Sequence, residues 1–138
     1  MKPDNSQIQF LGTKVKESHI VFKEKGSYTI DLDFIAKGLI RKSSSVFILT
    51  IDVKINDIED KFLINISSES EFSFSNDIDI EKYKESYFVL NAPAIVFPYI
   101  RSYISALTSL SGMPTLTLPT LNLTAIGEQL QNNIKEED

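Results

Sequence analysis

A chain of 138 residues with 42% apolar content fits one domain that can bury its own core. The absence of cysteine excludes disulfides and thiolate metal sites, and a formal net charge of −5 argues against nucleic acid, which needs a dense basic footprint. The polar start, Met1 to Gln7, has no apolar run after Lys2 and so no signal peptide; the expectation is a soluble, cytoplasmic protein.

The first half reads as strands, over about residues 6–75. Ile8, Phe10, Ile20 and Phe22 sit at even positions with polar neighbours, as a half-buried strand requires. After the turn signal Lys25-Gly26, Tyr28, Ile30, Leu32 and Phe34 keep that parity opposite Thr29, Asp31 and Asp33. Beyond the polar break 41–45, Phe47, Leu49, Ile51, Val53 and Ile55 alternate with Thr50, Asp52, Lys54 and Asn56. Phe62, Ile64 and Ile66 resume the pattern after a few turn residues, which predicts a hairpin. The expected sum is a four-stranded antiparallel sheet.

The period changes after Asn76. A short connection over 76–91 leads to Asn91 as an expected N-cap and Pro93 in the first helical turn. Val96, Tyr99, Ile100, Tyr103, Leu107 and Leu110 then fall at helical spacing, with Ser102, Ser105 and Ser109 opposite, over a helix of about 92–111. Pro98 is expected to bend this helix or to mark its true start. Gly112 and Pro114 stop it and open a linker over 112–122. A second helix over about 123–134 carries Leu123, Ile126, Leu130 and Ile134, and residues 135–138 read as a frayed acidic tail. Strands followed by helices imply one α+β domain spanning 1–138.

Between Glu85 and Glu128 there is one charged side chain, Arg101, although charged residues make up 24% of the chain. A helix and loop facing water would carry Lys and Glu to keep apolar patches small. Pro93, Pro98, Gly112, Pro114 and Pro119 interrupt the stretch, which argues against a membrane span. Burial between copies of the chain is the expectation, with Ile64, Ile66, Tyr99, Ser102, Tyr103 and Ser105 at the oligomer interface. Arg101 is expected in a buried or interfacial pair.

Val96-Phe97-Pro98-Tyr99-Ile100-Arg101, followed by Pro114-Thr115-Leu116-Thr117-Leu118 and then Asn122, resembles the SecB family of export chaperones in order and spacing. Ile20 to Phe22 and Ile30 to Asp33 agree more weakly. The resemblance implies a tetramer built as a dimer of dimers, with its helices between two sheets. It implies a holdase that works without ATP or any other cofactor, binding unfolded polypeptide in apolar grooves. The groove positions it implies are Tyr28, Ile30, Leu32, Leu118, Leu121, Ile126 and Leu130. Apolar burial is worth roughly 25 cal/mol per Å², so such grooves select non-native chains.

Members of the family that deliver clients to the motor SecA present carboxylates on the outer sheet face. The corresponding positions here hold His19, Lys23 and Asn65, which removes charge that would meet a basic partner. Glu17 and Glu24 restore part of it. A chaperone dedicated to one client, such as an unstable antitoxin, is therefore a second reading, and a small apolar-ligand binding module is a third. Catalysis is not expected: His19 stands alone, with no nucleophile elbow, phosphate loop or metal spacing around it.

Overall fold

In the computed structural model, residues 7–119 and 122–138 are described. β3 (Val46–Asp57) and β4 (Phe62–Phe74) form the expected hairpin at the centre of the sheet. Phe47, Leu49, Ile51, Val53 and Ile55 on β3, and Phe62, Ile64 and Ile66 on β4, are all buried on one face. Their polar alternates turn to the opposite face, as the two-residue period of a strand demands. Further along β4 the inner face carries Ser68 and Ser70. Both hydroxyls find partners: Ser68 donates to the Ile51 carbonyl at 3.0 Å, and Ser70 shares a 2.8 Å bond with Thr13.

Asp57 closes the hairpin from inside. Its buried carboxylate accepts the Thr29 N–H at 2.8 Å and those of Glu59 and Lys61 at 3.2 Å each. Burial pushes this carboxyl up, but those three N–H groups and the Lys61 charge outweigh it and hold it below its ordinary 3.8. The stabilisation is therefore complete above that ordinary value and lost as the pH falls through the lower, folded one. Asp57→Asn is expected to lower Tm at neutral pH and to flatten the acid limb of Tm against pH. A variant melting in parallel with the parent from about pH 5 to pH 2 would contradict this role.

β1 (Ile8–Phe22) lies on the outside of β4, and β2 (Ile30–Arg41) on the outside of β3. The even parity read along β1 is interrupted by two bulges, one between Phe10 and Gly12 and one between Val15 and Glu17. Each inserts one residue, so the inward face shifts to Thr13 and Val15 and then returns to Ser18, Ile20 and Phe22.

The sheet has five strands, not four, in the order β1-β4-β3-β2-β5. β5 (Ile134–Glu137) runs parallel to Gly38–Arg41 of β2, where a helix end and a frayed tail were expected. The acids of that segment meet cations from distant parts of the chain. Arg41 pairs with Glu137 at 2.9 Å, and Glu136 is shared by Lys84 at 2.7 Å and Lys42 at 3.2 Å. The Lys84 bond, aided by Lys42, lowers the Glu136 carboxyl, and the same bond raises Lys84. Ile134 lies over Gly38, where a Cβ would sit 3.0 Å from Ile134 Cγ1 and 2.7 Å from Phe47. Only glycine lets the two side chains close over the strand there.

One face of the sheet is covered by helices. A short α1 (Ile80–Lys84), capped by the Asp79 side chain, leads through a π-helical turn, Tyr87–Asn91, into α2 (Ala92–Leu110). Asn91 does not cap α2 with its side chain. The turn runs straight into the helix, with Leu90 N–H on Ser86 O and Ala92 N–H on Tyr87 O, so the first donors already have partners. α2 continues through Pro98, which is therefore not its start. Phe97 packs edge-on to Phe34, while Phe10 approaches Tyr99, so α2 lies across the sheet. The linker folds back on α2: Ser105 donates to Leu116 O at 3.0 Å, and Leu116 N–H donates to Thr108 at 2.9 Å. α3 (Leu123–Gln131) follows, capped by the Asn122 side chain, and packs beside β2. It ends at Gln131, short of the expected 134.

Candidate functional site

The inward face of β2 is only partly covered. Ala36 and Ile40 are buried, but Leu32 and Phe34 are half-buried and Ile30 is 42% exposed. α3 runs alongside, and between helix and strand lies an open depression of about 230 Å³. Leu32, Phe34, Ala125 and Ile126 form its apolar walls, with Asp33, Asn122 and Gln129 at the rim. α3 is drawn close by Gly127, where a Cβ would sit 2.7 Å from the Val89 carbonyl oxygen. Tyr28 stands beyond Ile30, half-buried, its ring edge-on to Phe62 at 4.9 Å.

Four of the expected groove residues, Tyr28, Ile30, Leu32 and Ile126, thus share one end of β2 and α3. Ile126 is itself mostly buried and offers one edge to the depression. Leu118 and Leu130 are enclosed in the core at 1% and 0% exposure, so client contact would require the linker and α3 to move. Leu121 lies outside the described residues.

Gln129 was not singled out by the sequence. Its carboxamide accepts the Ala36 N–H and donates to the Phe34 carbonyl at 3.2 Å, which fastens α3 to the outer edge of β2. One polar residue beside the Ile126 and Leu130 stripe was its only trace in the sequence.

The expected interface residues divide. Ile64 and Ile66 are buried beneath their own helices and leave no surface for a neighbour. Ser105 is occupied by the linker, as described above, and Tyr103 is half-buried. Tyr99, at 53%, and Ser102 are exposed, and Leu110 at the end of α2 is 87% exposed. Arg101 forms no ion pair among the described residues and borders a shallow recess with Pro98, Ser102, Ser105 and Thr117.

On the opposite face of the sheet, His19 stands beside Asn65 across β1 and β4. They line a depression of about 500 Å³ together with Glu17, Asp33, Asp52 and Lys54. Carboxylates from β2 and β3 line the same depression, but Asp33 lies three strands from His19 with Asn65 and Lys54 between them, so neither it nor Asp52 adjoins the His19 position. Lys23 borders a separate recess with Val21, Asp60 and Leu63.

A family described as SecB, preprotein translocase subunit SecB, matches residues 11–133. The chain belongs to the SecB family. It is 29% identical over 100 residues to the protein-export protein SecB of Anaplasma phagocytophilum, which covers 69% of this chain and 63% of that one. The match thus spans under two thirds of that relative's length. Its fold is similar to the Mycobacterium tuberculosis SecB-like chaperone Rv1957, solved in complex with a ChAD peptide from the HigA1 antitoxin. That likeness has a TM-score of 0.72 at 20% identity and covers 85% of this chain and 89% of the other. The open side of β2 beside α3 is the candidate binding surface. No helix among the described residues is long and apolar enough to cross a membrane.

Proposed function

We propose that this chain is a nucleotide-independent holdase of the SecB type, acting in the cytoplasm as an oligomer and not as an enzyme. The observation that carries the reading is the apolar depression between β2 and α3, continued by exposed Ile30 and bordered by an uncovered strand edge. A folded protein offers little to such a surface. An unfolded segment supplies both apolar side chains and free backbone groups.

The assembly would be the tetramer, built as a dimer of dimers, with α2 facing a second copy through Tyr99, Ser102 and Leu110. Large apolar side chains exposed on a nearly uncharged helix support that arrangement. Within the tetramer, several grooves acting on one long client would add avidity.

A dedicated chaperone for one client is the second reading. The fold relative solved with an antitoxin peptide favours it, as do His19, Lys23 and Asn65 at positions where SecA-binding relatives carry acids. Glu17, which lies on the same strand as His19 and lines the same depression, favours delivery to SecA instead. Aggregation of a heat-unfolding reporter enzyme separates these possibilities when measured without nucleotide. The holdase reading expects suppression at near-stoichiometric chaperone, and a dedicated chaperone would co-purify with one partner and protect little else. A chain that ignores every unfolded protein yet gains Tm with a fatty acid would overturn both in favour of a small-ligand module.

A further inference from the structure

Residues along a strand turn their N–H and C=O alternately to its two edges. Thr29 O accepts from Ile58 N–H at 2.9 Å, so odd residues of β2 face β3 and even ones face outward. The C-terminal segment satisfies that outward edge from one end. Lys42 N–H donates to Glu137 O at 2.9 Å and Gly38 N–H to Asn133 O at 3.1 Å. Next along the edge, the Gln129 carboxamide imitates one peptide unit of a partner strand, bonding Ala36 N–H and Phe34 O. The cover stops there: among the described residues no strand runs beside Ile30 and Leu32.

The cis cover is slight. β5 has four residues, of which only Ile134 is partly buried. Its ion pairs are partly solvated, a setting in which water and salt leave such pairs weak. The occupied stretch and the open stretch are one continuous edge bordering one apolar depression. A backbone strand already sits on it, so the edge demonstrably accepts polypeptide in extended form.

We propose that β5 is a displaceable strand: an extended client segment adds to β2 at Ile30 and Leu32 and extends toward Arg41 by replacing the Gln129 amide and then β5. The C-terminal segment thereby limits both the length and the affinity of the binding edge. Displacement also strips Arg41, Lys42 and Lys84 of their acids, so client segments with carboxylates at that end compete best. This inference rests on the holdase reading and adds the geometry of the bound chain.

The test uses reduced, carboxamidomethylated ribonuclease A as a permanently unfolded probe, with residue-resolved hydrogen exchange on the full chain. At saturating probe, the amides of Lys135 and Glu137, which face β2, should exchange about tenfold faster or more, and that of Glu136, which faces away, should not change. Ile30 and Leu32 should gain protection, Gly38 and Ile40 should keep theirs, and Asp31 and Asp33 should not change. A chain ending at Asn133 should bind the probe about tenfold more tightly. Full-length Glu136→Lys should shift the same way by a smaller factor, and it carries the test if the shortened chain does not fold. Full protection of β5 at saturation, with both variants within about twofold of the parent, would overturn the displacement while leaving the holdase reading intact. Failure of the parent and both variants to bind the probe would overturn both.

Discussion

Phe88→Ala is expected to lower the free energy of unfolding by about 3–5 kcal/mol, the range for an aromatic side chain removed from a packed core. Phe88 is fully buried and stacks on Phe47 with ring centroids 4.2 Å apart and planes 18° from parallel. Phe74 and Tyr83 close the same cluster at 5.9 and 6.0 Å. Because Phe88 sits in the π-helical turn before α2, this one side chain fastens the helical layer to β3 and β4. Urea denaturation measures the change as a lower midpoint with an unchanged slope. A loss below about 1 kcal/mol would mean that the cluster does not hold the two layers together.

Ile30→Asp is expected to weaken binding of an unfolded polypeptide by about tenfold or more, since burying an isoleucine is worth about 1.5–3 kcal/mol and 1.4 kcal/mol is a factor of ten. Ile30 is already 42% exposed, so stability should change little. Ile35→Asp is the control. It stands on the same strand, 48% exposed, but on the opposite face beside Asp52. Binding should stay within about twofold of the parent there. Equal losses from both substitutions, measured by fluorescence anisotropy of a labelled unfolded chain, would move the binding surface away from the β2–α3 side.

The centre of the sheet was legible because Phe47 to Ile55 and Phe62 to Ile66 alternate without interruption, and burial on one face leaves a strand no other register. β1 was legible only at its ends. Its two bulges cancel in parity, so a period count across Ile8 to Phe22 passes over them. α2 was legible as a helix but not in its facing. Val96 and Ile100 turn inward with Phe97 and Ile104, whereas on the expected stripe Leu110 turns outward and Tyr99 lies at the rim against Phe10, half exposed. A helix with apolar residues on two faces does not declare which one the sheet takes.

β5 was hidden for a different reason. Lys135, Glu136 and Glu137 look like a solvated tail until Arg41, Lys42 and Lys84 are brought beside them, and no local pattern records that meeting. The groove shows the same limit. Tyr28, Ile30 and Leu32 were readable as an apolar strand face, but their partial exposure depends on where α3 begins. Leu118 and Leu130 have the same chemistry as Ile30, and only packing separates the enclosed from the open.

The most direct test of the account is sedimentation velocity of the protein, alone and with a fluorescent, permanently unfolded polypeptide, in the absence of nucleotide. An oligomeric holdase sediments as a species several times the 15.6 kDa chain mass that carries the unfolded polypeptide with it and ignores the same polypeptide in its folded form. A single 15.6 kDa species that sediments apart from the unfolded chain would contradict it.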